Sequence, residues 1–276
     1  MLRNHSSIAS AVAGGLLCAM AGVAVAQQAA PSAPPAVAPG ASAAQIQLVK
    51  DPRALAALKA MSDRLAAAKS FTFHTHNSVP MLSPNLQWVT LLGTARVALE
   101  RPNKLFIERG GDQTPMEIYY DGKTLALHEP RAKLFAEAPA PATIDAALAE
   151  VLGPSLAGFP YLDLLLADPY AALTASLGGA LYVGHSTVDG VKTEHLAFRG
   201  PGVDWEIWIG AEDKLPRLVQ AKYVDLGKAP AITTRFTDWK LDAPIPASAF
   251  TLEKAAGAQQ IELARPAAPV KPKAGQ

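Results

Sequence analysis

His74 and His76 stand two residues apart, so on a β-strand their imidazoles share one face, which is how a metal site can begin. A closed site needs three or four ligands, and His128, His185 and His195 lie far off in the sequence with nothing to fix their distance. The pair therefore reads as two polar residues on a solvated strand face, and no metal is expected. Gly184-His185-Ser186-Thr187-Val188 has the start of a nucleophile elbow, but it lacks the final glycine and precedes a strand turn rather than a helix. Glu194, Asp204 and Glu206 crowd one region, as carboxylates on exposed strand faces commonly do. There is neither a phosphate-binding P-loop nor a G-x-G-x-x-G run, so no nucleotide cofactor is expected. These residue types together point away from an enzyme, with no catalytic set and no cofactor.

Thiol chemistry is bounded by the leader. The only cysteine, Cys18, lies within an apolar stretch from Ile8 to Val25, and Ala24-Val25-Ala26 supplies an A-x-A cleavage site. Residues 1–26 therefore read as a cleaved signal peptide, which sends the protein to the periplasm. The mature chain would then carry no cysteine, hence no disulfide and no thiolate site. A lipoprotein signal would need a small residue before the cysteine, where Leu17 stands. Residues 27–45 are rich in Ala, Pro and Ser and uncharged, a flexible linker, and 264–276 form a disordered tail of the same kind. The foldable domain is expected over 46–263.

The chain has 276 residues, 50% hydrophobic and 18% charged, with a formal net charge of +1. A balance this even leaves no field to gather nucleic acid or an anionic membrane surface. No stable membrane span is expected in the mature protein.

The elements that must position any site begin at Asp51, a good N-cap followed by Pro52. Leu55, Leu58, Met61 and Leu65 then recur at helical spacing, predicting an amphipathic helix to Lys69. At Ser70 the period drops to two, with Phe71 and Phe73 alternating with Thr72 and His74. Strands are predicted over 87–100, 104–109, 116–120, 124–128 and 134–137, with breaks at Arg101-Pro102-Asn103, Gly110-Gly111 and Asp121-Gly122. Such short gaps imply an antiparallel meander. A helical insert at about 138–180 is predicted, with helices over 143–152 and 161–173 and a restart signal at Asp168-Pro169. Strands resume over 180–188, 193–199, 203–209, 215–226 and 232–241. The fold class is α+β: a curved antiparallel β-sheet forming an incomplete barrel, with an N-terminal helix and a helical insert covering the concave face.

The apolar signal is the informative one. Trp205, Ile207 and Ile209 share one strand face while Glu206 and Trp208 take the other. Trp88, Leu92, Phe106, Tyr119, Leu125, Leu127, Trp205 and Ile207 are the candidates to line a ligand cavity. The lid candidates are Tyr161, Leu162, Leu164 and Leu165, between Pro160 and Pro169. Burying four such side chains contributes about 6–12 kcal/mol before entropy, and an apolar ligand would compete for the same surface.

Four motifs now carry a resemblance. Leu58-Lys59-Ala60-Met61-Ser62-Asp63-Arg64-Leu65 running into Lys69-Ser70-Phe71, Arg101-Pro102-Asn103, Asp121-Gly122-Lys123-Thr124-Leu125, and Pro246-Ala247-Ser248-Ala249-Phe250-Thr251-Leu252 occur in one order. In that order the chain resembles the periplasmic lipoprotein carriers of the LolA and LolB type. Phe159-Pro160-Tyr161-Leu162-Asp163-Leu164-Leu165 up to Asp168-Pro169 is similar to a branch of predicted periplasmic proteins of unknown function. The resemblance implies a half-barrel with a helical lid over a cavity for acyl chains, and it implies that Arg101 holds the lid closed. The longer insert at 138–180 departs from the carriers, so a lipoprotein cargo is not implied. The expected function is periplasmic binding or carriage of a lipid or other hydrophobic small molecule without covalent chemistry. The alternative is a structural or envelope-stress interaction protein with an envelope protein partner and no ligand. A hydrolase is the third reading.

Overall fold

The computed structural model describes residues 48–152, 161–223, 230–252 and 257–263. The expected signal peptide, the linker at 27–45, the tail at 264–276 and the glycine–proline breaks within 153–160 lie outside the described residues.

The chain opens with α1 (Pro52–Ala67), β1 (Ser70–Leu82), β2 (Trp88–Glu100), β3 (Lys104–Gly111), β4 (Met116–Tyr120), β5 (Thr124–Glu129) and β6 (Leu134–Pro139). The insert holds α2 (Ile144–Ala147), a π-helical turn (Leu148–Leu152), a 3-10 turn (Leu162–Leu165) and α3 (Pro169–Thr174). Then come β7 (Gly179–Val188), β8 (Val191–Gly200), β9 (Val203–Gly210), β10 (Pro216–Tyr223) and β11 (Ile232–Leu241). A last 3-10 turn (Ala247–Phe250) leads to β12 (Gln259–Gln260).

α1 starts where expected. The Asp51 carboxylate accepts the Arg53 amide at 2.9 Å, and Pro52 fills a first-turn position that needs no donor. Ala54, Ala57, Leu58, Met61 and Leu65 make its buried stripe. The helix stops as Ala68 turns extended, immediately before the period-two run of β1.

The strands form one sheet in the order β12-β6-β5-β4-β3-β2-β1-β11-β10-β9-β8-β7. Two antiparallel meanders, β1–β6 and β7–β11, are thus welded where β11 returns beside β1, with Thr75 opposite Phe236. β6 and β7 end up at opposite sides, so the curved sheet is not closed into a barrel. β12 departs from the expected meander because it pairs parallel to β6, Gln259 opposite Leu134. A long connection through the last 3-10 turn, rather than a tight hairpin, brings it there, which is what parallel pairing requires.

Two further expectations are corrected. β3 runs through Gly110-Gly111 instead of breaking there. Gly111 sits at φ +105, where a Cβ would fall 2.4 Å from the Leu92 carbonyl oxygen, so glycine here permits close pairing. The helical stretch expected over 161–173 begins as a 3-10 turn instead of an α-helix, and α3 starts at the expected Asp168-Pro169 restart, where the Asp168 carboxylate caps Ala171 N at 2.9 Å.

The main core lies between the sheet's inner, concave face and α1 with the insert. At its centre Phe73 packs on Trp239 at 4.4 Å, on Phe236 at 5.6 Å and edge-on to Tyr161 at 5.8 Å between ring centroids. A smaller cluster on the outer face joins Ala98, Phe106, Tyr119 and Ala126 to Phe250 of the C-terminal segment.

Candidate functional site

The segment from Tyr161 to Ala167, where the lid is expected, packs over the inner face. Tyr161, Leu164 and Leu165 are fully buried and Leu162 is half-buried against the core. Apolar side chains hold its body down, and polar contacts hold its end. Arg101, in the β2–β3 turn, donates from Nη2 to the Leu166 carbonyl at 2.9 Å and the Leu65 carbonyl at 3.4 Å. Its Nη1 reaches the Leu165 carbonyl at 3.4 Å, and its guanidinium lies 5.8 Å from the centre of the Phe71 ring. Burial pulls the Arg101 pKa down, and the nearby Asp145 carboxylate pushes it back up. Asp145 itself accepts the Ala167 amide at 3.1 Å.

Sequence reasoning missed Asp145. It lies in the first turn of α2, behind the Thr143 cap, and helix-start signals account for it without any lid. On the underside, burial raises the Tyr161 phenol, opposed by a hydrogen bond to Thr75 and by the Arg109 charge.

The eight cavity candidates do not share one hollow. Leu125, Leu127, Trp205 and Ile207 do face the inner core, and Trp205 stacks on Phe198 at 4.2 Å. Phe106 and Tyr119 lie on the outer face instead. They stand directly opposite one another with rings 5.0 Å apart, next to Phe250. The reason is strand parity: Phe106 falls between inward Leu105 and Ile107, and Tyr119 between inward Ile118 and Tyr120. Trp88 and Leu92 also have outer parity, and both are exposed at the far end of the β1–β2 hairpin. The tryptophan-on-each-face reading of β9 holds: Trp208 points outward and stacks on His195 at 4.1 Å, while Glu206 accepts from His195 at 2.7 Å.

Two hollows are lined by described residues of the sheet. One of about 430 Å³ sits on the outer face between Ala98, Phe106, Tyr119 and the Ile245–Thr251 stretch, with His74 and Arg96 at its wall. Another of about 390 Å³ lies near the β7 edge, among Leu48, Leu181, Phe198 and Trp205.

The chemistry-bearing residues are spread out. His74 Nδ1 pairs with Asp238 at 3.0 Å, and His76 is exposed beside it. Ser186 shares a hydrogen bond with the Thr193 hydroxyl at 3.0 Å inside a β7–β8 ladder, with no helix following it. On the outer face His128 Nδ1 meets Glu117 at 2.9 Å, and Tyr119 donates to the same carboxylate at 2.7 Å. Among the described residues no group of three or more His, Cys, Asp or Glu is arranged to hold a metal ion. Nor is any described helix long and apolar enough to cross a membrane.

The fold is an unclosed half-barrel with described residues of the insert packed on its inner face. The chain belongs to the family described as Predicted periplasmic protein (DUF2092), whose model matches residues 54–264. That match bears out the resemblance to a branch of predicted periplasmic proteins. No curated protein matches the chain. Among solved structures it is similar to Mycobacterium tuberculosis lipoprotein LppX, at 11% identity and TM-score 0.39, covering 72% of this chain and 100% of that one. It is similar to a LolA superfamily protein of Nitrosomonas europaea at 11% identity and TM-score 0.32, covering 71% and 98%. It is also similar to a chain of the Pseudomonas aeruginosa MucA/MucB complex at 17% identity and TM-score 0.39, covering 74% of this chain and 63% of that one.

Proposed function

We propose that the protein is a periplasmic binder or carrier of a lipid or other hydrophobic molecule, held against the inner face of the half-barrel with no covalent step. The observation that carries this reading is the lid. Tyr161, Leu164 and Leu165 are buried on an apolar sheet face, yet the end of their segment is tied down by hydrogen bonds from one side chain, Arg101, and to another, Asp145. Water can replace those polar contacts when the segment lifts, so the net cost of breaking them is modest. The apolar contacts need an apolar replacement. At about 0.8 kcal/mol per methylene, an acyl chain of roughly ten methylenes supplies what four lid side chains contribute.

A second reading has its own observation. Phe73, Phe236, Trp239 and Tyr161 fill the centre of the inner face with the protein's own rings, as an envelope interaction protein without ligand would have them. Native mass spectrometry of protein purified from cells, with displacement of a fluorescent fatty acid, separates the two. Copurified lipid and saturable displacement support carriage. An adduct-free protein that also ignores the fatty acid supports the second reading and ends the first.

A further inference from the structure

β1 and β2 are the longest strands, 13 residues each, and they outrun both neighbours. β11 accompanies β1 only to Ser78 opposite Thr233, and β3 accompanies β2 only to Gly93 opposite Gly111. Beyond those rungs no described strand flanks the pair, which continues from Val79 opposite Leu91 to Leu82 opposite Trp88. The turn beyond closes through Ser83 N to the Gln87 carbonyl at 2.9 Å, with Leu86 at its tip.

From Asn77 to Ala95 the sequence contains no Asp, Glu, Lys or Arg. The exposed part is uncharged and carries large apolar side chains on both faces, with Asn85, Gln87 and Thr90 exposed among them. Met81 continues the parity of the inner face, while Leu82, Trp88 and Leu92 carry the outer one. Leu86 is 79% exposed, Leu92 61%, Leu82 47% and Met81 45%. A strand that is apolar on one face docks against a protein layer, while one apolar on both faces is buried from both sides. A hairpin that outruns the described strands on both sides meets that condition in a medium that is apolar all round. The acyl region of a bilayer is such a medium, and a flat protein partner would leave one face wet. Trp88, opposite Leu82 on the last rung before the turn, adds a side chain suited to the headgroup boundary, so the insertion it favours is shallow.

We propose that this hairpin inserts its tip into the surface of a lipid bilayer. Four residues at about 3.3 Å each reach roughly 13 Å, well short of a hydrocarbon core of about 30 Å, so the contact is interfacial and does not span. Shallow insertion also leaves the unpaired strand edges within reach of water. The attraction is apolar and therefore insensitive to salt and to anionic lipid. This inference stands independently of whether the inner face carries a ligand.

Flotation of the purified protein with phosphatidylcholine vesicles tests it. The wild type is expected to float equally at low and high salt. Leu86→Asp and Trp88→Asp are each expected to lower partitioning at least about tenfold, while Leu86→Phe retains it. The substituted side chains are exposed, so unchanged circular dichroism and Tm show that the variants remain folded. A wild type that stays with the soluble fraction, or aspartate variants that float as it does, overturns the proposal. So does a concentration-dependent dimer abolished by Leu86→Asp without any flotation, which would make the hairpin a self-association surface.

Discussion

The guanidinium of Arg101 donates to the backbone carbonyl of Leu166 at 2.9 Å, joining the β2–β3 turn to the end of the lid. The same nitrogen reaches the Leu65 carbonyl in the last turn of α1, so one side chain ties together helix, turn and lid. Arg101 Nε is buried with no hydrogen-bond partner among the described residues, so the group bears a desolvation cost that its other contacts must offset.

Arg101→Leu keeps an apolar stem over Phe71 and removes every donor to the lid. Loss of these bonds is expected to cost about 1–3 kcal/mol. The loss should appear as faster amide exchange across 161–167 and faster uptake of a fluorescent fatty acid. Unchanged exchange in that segment removes Arg101 from any role in holding the lid.

Asp145→Asn weakens the bond to the Ala167 amide and withdraws the carboxylate nearest the Arg101 charge. A cost of about 1 kcal/mol is expected. Because both residues hold one end of one segment, a double-mutant cycle with Arg101→Leu should show coupling above about 0.5 kcal/mol. Strict additivity of the two stability changes counts against a shared latch.

The Tyr161 phenol is raised above its ordinary value of 10.0 by burial. The unfolded chain therefore loses this proton first, and the stability it contributes is complete below pH 10 and falls as pH climbs beyond it. Alkaline titration followed by amide exchange should show the lid loosening above that point, and Tyr161→Phe should shrink the change. An alkaline transition of unchanged size in the phenylalanine variant assigns it to Tyr119 and Tyr120, which burial also raises.

Phe250→Ala empties the outer-face cluster around Phe106 and Tyr119, where Phe250 is fully buried. A cost of about 3–5 kcal/mol is expected from chemical denaturation. Lid exchange should change only as far as global stability does, since the two clusters lie on opposite faces of the sheet. A selective effect at 161–167 would show that the faces communicate.

Much of the strand map was legible locally. Asp51-Pro52 marked the helix start, and the change of period at Ser70 marked the first strand. Asp121-Gly122 marked a turn in which the Asp121 carboxylate accepts the amides of Lys123 and Thr124 at 2.9 and 2.8 Å. The candidate site was legible in part. Of the residues expected at the lid, Tyr161, Leu162, Leu164 and Leu165 lie against the core, and Arg101 reaches the Leu165 and Leu166 carbonyls. Sequence does not separate Phe106, Tyr119, Trp88 and Leu92 from inner-face residues because several strands are apolar at both parities. Where Leu105, Phe106 and Ile107 are all apolar, alternation no longer says which side is in.

Chain-local chemistry thus determined where helices and strands begin, that successive strands pair antiparallel, and that an apolar insert must cover something. Caps, turns and residue periodicity act over a few neighbours and are written in adjacent letters. Only the tertiary structure decided that β11 closes onto β1 and that Phe250 crosses back to make Phe106 and Tyr119 an outer-face core. It alone decided that the β1–β2 hairpin outlives its neighbours and that Asp145 meets Ala167. Each of those contacts joins residues far apart along the chain, where what a side chain faces depends on which distant segment arrives beside it.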